Sequence, residues 1–272
     1  MVRAVLAVDR VMSAIWRAWG MVREEALWAW TSQGGRERTN RATYSRLNTY
    51  SPGGASFREG LFEWELAALT SPHFPRSGRI LLGAAGGGRE LAELCQRGYE
   101  VVAFEPAPAL AEAAGAVAAP YPASRVIAAS FADVVQAVEN GSGSLAPHVC
   151  GKEFHAVILG WTSFSYVWRE ERVPLLQALR SLAPRAPVLL SYMVNADEFE
   201  GRLGKLRPGL RRLLRLTGAR ALAQPGDGFH PWSGFFQMLT PAEVQAVARR
   251  AGYQVAYVKG SPAPHALLVP EP

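Results

Sequence analysis

Residues 79–90, Arg79-Ile80-Leu81-Leu82-Gly83-Ala84-Ala85-Gly86-Gly87-Gly88-Arg89-Glu90, run from an apolar stretch through a loop of tiny residues into a helical pattern (Leu91, Ala92, Leu94, Cys95). At the end of the next apolar stretch, Val101-Val102-Ala103-Phe104, stands Glu105. A strand, a tight loop, a helix and a second strand tipped by a carboxylate form a unit suited to a ribose-bearing cofactor. The loop needs small residues because a sharp strand-to-helix turn often requires positive φ, and because a bare backbone can approach a ligand closely. The helix that follows presents free N–H groups and a partial positive charge, where a carboxylate or phosphate can rest. Glu105 can accept hydrogen bonds from both ribose hydroxyls. The dinucleotide pattern G-x-G-x-x-G is met only loosely, with Ala85 in its middle position.

Other elements must position these residues. The chain has 272 residues, 49% of them hydrophobic, enough for a sizeable core: one catalytic domain with an appendage. A net charge of +6 is modest and argues only weakly for acidic ligands. Cys95 and Cys150 have no metal-ligand or disulfide-framework spacing, so no metal site is expected. Residues 2–30 are apolar-rich and carry Trp16, Trp19, Trp28 and Trp30, yet Arg3, Asp9, Arg10, Ser13, Arg17 and Glu24 recur at helical spacing. That polar stripe is incompatible with a signal peptide or a spanning helix and makes an amphipathic helix. No transmembrane segment and a cytoplasmic location are expected. The helix's apolar face needs a cover: the main domain, a second copy in a homodimer, or a membrane surface.

Residues 1–72 read as a helical cap with loops near 31–35 and 51–54, and with a helix from Phe57 to Leu69. Residues 79–193 then alternate. Strands are expected at Ile80–Leu82, Val101–Phe104, Val126–Ala128, Ala156–Leu159 and Val188–Ser191, and helices near Glu90–Gln96, Pro108–Ala116 and Val173–Leu182. Asn140–Pro147 reads as a surface loop. This rhythm means a parallel sheet with helices on both faces. Residues 195–232 break it with Arg202, Lys205, Arg207, Arg211, Arg212, Arg215 and Arg220 among leucines. They read as a basic helical insert: a solvated face, or a lid gripping an anionic substrate. Thr240-Pro241-Ala242-Glu243 is a capping box with proline at the first helical position. The helix it opens ends at Gly252, and strands follow at Tyr253–Val258 and His265–Val269.

The alternate small residues Ala84, Gly86 and Gly88, followed by Arg89-Glu90, resemble the nucleoside loop of class I S-adenosylmethionine-dependent methyltransferases. The capped helix with two closing strands is similar to that family's antiparallel terminal hairpin. The resemblance covers most of residues 79–270. It implies an α/β, Rossmann-like, doubly wound seven-stranded and mostly parallel sheet, with 1–72 as cap and 73–272 as the methyltransferase domain. The implied cofactor is S-adenosyl-L-methionine and the implied reaction is methyl transfer to an oxygen or nitrogen of a small molecule.

Carried onto this chain, the family pattern puts the cofactor's amino-acid part at Ala84, Ala85, Gly86 and Gly88, and its ribose at Glu105 and Pro106. The adenine falls beside Ser130 and Phe131, and the methyl-bearing end near Gly160 and Trp161. Leu82 stands where the family usually has an acid, and Ser130 where it often has an aspartate. Trp161 and Phe164 can wall an apolar pocket, with Tyr44, Tyr50, Tyr192 and Trp232 as further wall residues. His230, in the glycine- and aromatic-rich stretch 226–232, is the candidate general base. The fourth strand end lacks the Asn/Asp-Pro-Pro-Tyr/Phe tetrapeptide of many amino-directed nucleic-acid enzymes, so no nucleic-acid partner is expected. Two other classes stay open: a nicotinamide-dependent oxidoreductase, and a non-methylating member of the fold that binds a partner or catalyses another reaction.

Overall fold

The near-continuous apolar runs between residues 79 and 193 are the signature of strands buried on both faces, and the computed structural model buries four of them so, while Arg125–Ala128 forms a partly exposed edge strand. The structure describes residues 2–46, 48–194, 206–219 and 221–271. Among the described residues nine strands follow in chain order: β1 (Arg79–Gly83), β2 (Glu100–Glu105), β3 (Arg125–Ala128), β4 (Ala156–Leu159), β5 (Val188–Ser191), β6 (Asp227–His230), β7 (Gly234–Gln237), β8 (Tyr253–Lys259) and β9 (His265–Pro270). The chain divides into two compact units, Met1–Asn40 with Ala196–Phe236 and Arg41–Asn195 with Gln237–Pro272. Compactness thus groups residues 41–72 with the sheet rather than with the N-terminal helix.

The larger unit holds a seven-stranded sheet of order β3-β2-β1-β4-β5-β9-β8. β3, β2, β1, β4 and β5 are parallel; β9 runs antiparallel to both β5 and β8. This is the doubly wound sheet with a closing antiparallel pair that the sequence predicts. Alternation along each strand feeds two cores. Leu81, Val102, Phe104, Val157 and Leu159 join one, and Ile80, Leu82, Val101, Ala103 and Ile158 join the other. The register pairs Gly83 with Phe104 and with Leu159, so the tips of β1, β2 and β4 end at one level. The capping box forms as read: the Thr240 hydroxyl accepts the Glu243 N–H at 3.2 Å, and Glu243 accepts the Thr240 N–H at 2.6 Å.

Two expectations are corrected in this unit, and one helix not expected from the sequence is present. The single helix Phe57–Leu69 is two, Ala55–Arg58 and Glu63–Thr70. The chain turns at Gly60 with φ 64°, and Glu65 starts the second helix by accepting the Phe62 N–H at 2.7 Å. A helix Phe131–Asn140 follows β3, started by Asp133, which accepts both the N–H (2.7 Å) and the hydroxyl (2.6 Å) of Ser130. Part of the expected loop 140–147 is a helical turn, Ala146–Val149.

In the smaller unit the helix Val2–Trp30 forms as read, but the expected loop 31–35 shrinks because the next helix already begins at Gln33. The glycine- and aromatic-rich stretch 226–232 supplies β6 of the β6–β7 pair. The amide of Asn40 holds Phe235 by both backbone groups, at 2.8 and 2.7 Å. The basic segment forms a helix at Arg207–Leu216. There Arg207 and Arg211 bind the wholly buried Glu25 at 2.8–2.9 Å, and Arg207 also takes Glu24 at 2.9 Å. These two arginines are structural. Arg202, Lys205 and Arg220 of the expected insert lie outside the described residues.

Candidate functional site

The site is built where β1, β2 and β4 end. After Gly83 the chain turns sharply: Ala84, Gly86 and Gly88 have φ of 54°, 55° and 95°. Gly88 then begins the helix Arg89–Gln96 from a left-handed conformation. Ala84 is the strained member, since the left-handed region costs a non-glycine residue about 1–2 kcal/mol. Ala84→Gly is therefore expected to stabilise the fold by about 0.5–1 kcal/mol, after the opposing entropy of a more flexible unfolded chain. Urea unfolding would show it as a higher midpoint. At Gly87 the constraint is closeness: a Cβ there would collide with the Tyr50 carbonyl oxygen and lie 2.9 Å from Ser51 Cα. Residues 50–51 thus lie directly against the loop.

Glu105 sits at the tip of β2. Its Oε2 accepts the Gly86 N–H at 2.9 Å and its Oε1 the Ala107 N–H at 2.8 Å. The residue is 5% exposed. Burial pushes its carboxyl up to about 7; the two N–H bonds oppose the rise and the nearby charge of Glu90 adds to it. A carboxylate offers about four acceptor positions, and each oxygen of Glu105 accepts one of these N–H groups. The remaining capacity suits two neighbouring hydroxyls.

Beside it the Tyr44 hydroxyl donates to Tyr166 at 2.6 Å, and the Tyr44 and Tyr50 rings lie 5.6 Å apart. Burial, the neighbouring tyrosines and the charge of Glu105 hold the Tyr44 phenol well above its ordinary range. Tyr50 thus lies against the loop, and Tyr44 packs on both Tyr50 and Tyr166.

Beyond β4, Gly160 passes so close to β1 that a Cβ would meet the Ala84 carbonyl oxygen at 2.9 Å and Glu90 Oε1 at 3.3 Å. The Trp161 N–H points at the same Glu90 oxygen, 3.4 Å away, and its 42% exposed ring packs edge-on against Phe62. Glu90 belongs to a buried cluster. One Arg89 guanidinium binds Glu65 twice at 2.7 Å, Glu90 at 2.6 Å and the Gly60 carbonyl at 2.6 Å, above the Phe62 ring at 4.1 Å. Burial is the main cause that raises the Glu65 carboxyl to about 7; Glu90 adds to it and Arg89 opposes it. Sequence reading missed this cluster. Its signal was Glu65 on the apolar side of a helix, which marks a buried polar group needing a partner.

Other expected residues divide. Pro106 and Ser130 are half-buried at the tips of β2 and β3. The Ser130 hydroxyl is committed to Asp133, and Phe131 packs edge-on against Phe104 at 5.5 Å. Ala85, within the loop, is buried in the core shared with Ile80 and Leu82. Phe164 and Tyr192 are corrected: both are wholly buried in the sheet's core, with the Tyr192 hydroxyl donating to the Lys259 carbonyl at 2.7 Å, so neither presents a pocket wall. His230 and Trp232 belong to the other unit. Both are exposed, and His230 Nδ1 accepts the Trp232 N–H at 3.3 Å. Among the described residues no group of His, Cys, Asp or Glu could hold a metal ion, and no helix is long and apolar enough to cross a membrane.

No family model matches the chain, and no curated protein matches it. Solved structures do. The PH0226 protein from Pyrococcus horikoshii OT3 is 16% identical over 85% of this chain and 99% of that one, with a TM-score of 0.58. The 1,6-didemethyltoxoflavin-N1-methyltransferase of Burkholderia thailandensis, solved with 1,6-didemethyltoxoflavin and S-adenosylhomocysteine bound, is 14% identical over 88% and 89%, with a TM-score of 0.52. DesVI of Streptomyces venezuelae is 15% identical over 79% and 91%, also with a TM-score of 0.52. At these identities the likeness is one of fold, and the fold is the class I methyltransferase fold.

Proposed function

We propose that this chain transfers a methyl group from S-adenosyl-L-methionine to an oxygen or nitrogen atom of a small molecule. The observation that carries the reading is the buried Glu105 carboxylate, held by the Gly86 and Ala107 N–H groups with acceptor capacity to spare. Its spare acceptor positions would suit a ribose diol. The methyltransferase of this fold solved with S-adenosylhomocysteine supports the same reading.

When bound, the cofactor supplies a methyl group already activated on sulfur, so the protein's work is positioning, desolvation and charge. The backbone of Ala84–Gly88 would hold the amino-acid end. Glu90, beside Gly160 and Trp161, would supply there the negative charge that Leu82 does not. The Trp161 ring would face the sulfonium, a cation suited to an aromatic face. Tyr44 and Tyr50 have phenols raised above their ordinary range, chiefly by burial, so at neutral pH they donate hydrogen bonds and do not act as bases. An acceptor that needs no base, such as an amine, suits this arrangement.

A pH dependence follows. Two ribose hydroxyls need an ionised carboxylate to accept from, and Glu105 alone is half-protonated near pH 7. Ligand binding favours the ionised form. Affinity for S-adenosylhomocysteine is therefore expected to be level above about pH 8 and to fall by up to tenfold per pH unit well below 7. Calorimetric titration between pH 5.5 and 8.5 measures this, and a flat profile would remove Glu105 from the site.

The function itself is tested in two steps. Thermal shift should respond to S-adenosylhomocysteine and not to nicotinamide dinucleotide, because only a ligand of the native state raises its stability. Labelled cofactor incubated with candidate amines and alcohols should then pass its label on. Binding without transfer to any acceptor would favour a non-methylating role.

A further inference from the structure

The helix Val2–Trp30 has apolar residues at 5, 8, 12, 15, 19, 22, 26 and 29: Val, Val, Met, Ile, Trp, Val, Ala and Ala. Intervals of three and four alternate without a break, which is the seam of a coiled coil. Its last part is covered within the chain, where Glu25, Trp28 and Ala29 are buried. The middle is not. Met12 is 47% exposed, Ile15 56%, Trp19 59% and Val22 38%, with Val11 and Trp16 beside them at 59% and 67%. Six large apolar side chains on one bare stripe call for a partner.

The charges around the stripe choose it. At 3.6 residues per turn, Arg10 and Arg17 fall on the opposite side of the helix from Trp19. The border of the stripe carries one acid and one base on the same edge, Asp9 and Arg23, both exposed. That edge has no net charge, so an anionic lipid surface gains nothing from it. A second copy of the same helix does gain, if it runs antiparallel. Packing Met12 against Val22 of the partner subunit, and Ile15 against Trp19 of the partner subunit, sets Asp9 beside Arg23 of the partner subunit. At a rise of 1.5 Å per residue the axial offset of that pair is about 3 Å. The two-fold axis makes the same contact twice. In a parallel pair Asp9 and the partner's Arg23 would stand about 21 Å apart along the axis.

The geometry points to an antiparallel homodimer seam formed by residues 9–23 of two copies, set in register by reciprocal Asp9–Arg23 ion pairs. This is independent of any cofactor or reaction. The test is sedimentation of the full chain at micromolar concentration, with circular dichroism melting as the folding check. The wild type should be a dimer and Ile15→Glu a monomer. Asp9→Arg and Arg23→Asp should each weaken the dimer by about tenfold, because each turns two attractive pairs into two repulsive ones. Together, Asp9→Arg and Arg23→Asp should restore it. A monomeric wild type would overturn the proposal, as would a double swap no tighter than its singles. So would a monomer that co-sediments with phosphatidylserine–phosphatidylcholine vesicles.

Discussion

Arg89→Met is expected to destabilise the fold by about 3–5 kcal/mol, the cost of leaving buried charge without its partner. Arg89 is 6% exposed and its guanidinium makes four hydrogen bonds, two to Glu65, one to Glu90 and one to the Gly60 carbonyl. Methionine fills a similar volume over the Phe62 ring but answers neither carboxylate. The loss should depend on pH in a definite sense. Glu65 already titrates near 7 in the fold, against an ordinary value of 4.5. Between these values the folded chain keeps a proton that the unfolded chain has lost, so this group's contribution to stability falls as pH rises from about 4.5 through 7. Without Arg89 the folded value climbs further. Urea unfolding should therefore show a larger Arg89→Met deficit at pH 8 than at pH 5.5, and Glu65→Gln added to it should recover part of the loss at pH 8. Equal deficits at both pH values would mean that the cluster's charge is not what Arg89 stabilises.

Glu105→Ala is expected to weaken S-adenosylhomocysteine binding by about 1–3 kcal/mol, roughly 5- to 150-fold, the range for lost charge-assisted hydrogen bonds. The substitution also frees the Gly86 and Ala107 N–H groups, so a disturbed loop could mimic a lost ribose contact. A ligand pair separates the two. With the wild type, removing the 2′-hydroxyl from the ligand should cost affinity; with Glu105→Ala the same removal should cost almost nothing, because the acceptor is already gone. If both proteins lose the same amount, the diol is held elsewhere.

The local part of the fold was legible in the residues. Apolar runs, the small-residue loop and Glu105 lie within one strand–helix–strand unit. The capping box at Thr240 and the closing strands follow from neighbouring residues in the same way. What escaped reading is non-local or sterically decided. Phe164 and Tyr192 look like pocket aromatics at strand ends, but packing turns both into the core. Nothing near Arg89 announces that Glu65 will meet it, since that contact exists only after the sheet unit has folded. The helical period over 57–69 hides the break at Gly60, where a left-handed residue ends one helix and the Glu65 carboxylate starts another. Segment 226–237 has aromatics and glycines without strand alternation, and its pairing as β6–β7 comes with partners distant in sequence, Asn40 and Glu24.

The central claim is that a nucleoside sulfonium cofactor lies across the tips of β1 and β2. Isothermal titration of the folded chain with S-adenosylhomocysteine at pH 8 tests it most directly. Saturable heat with one site per chain, absent with nicotinamide dinucleotide and much reduced by Glu105→Ala, is the result this account predicts. No heat at millimolar ligand, from protein that melts cooperatively, would contradict it.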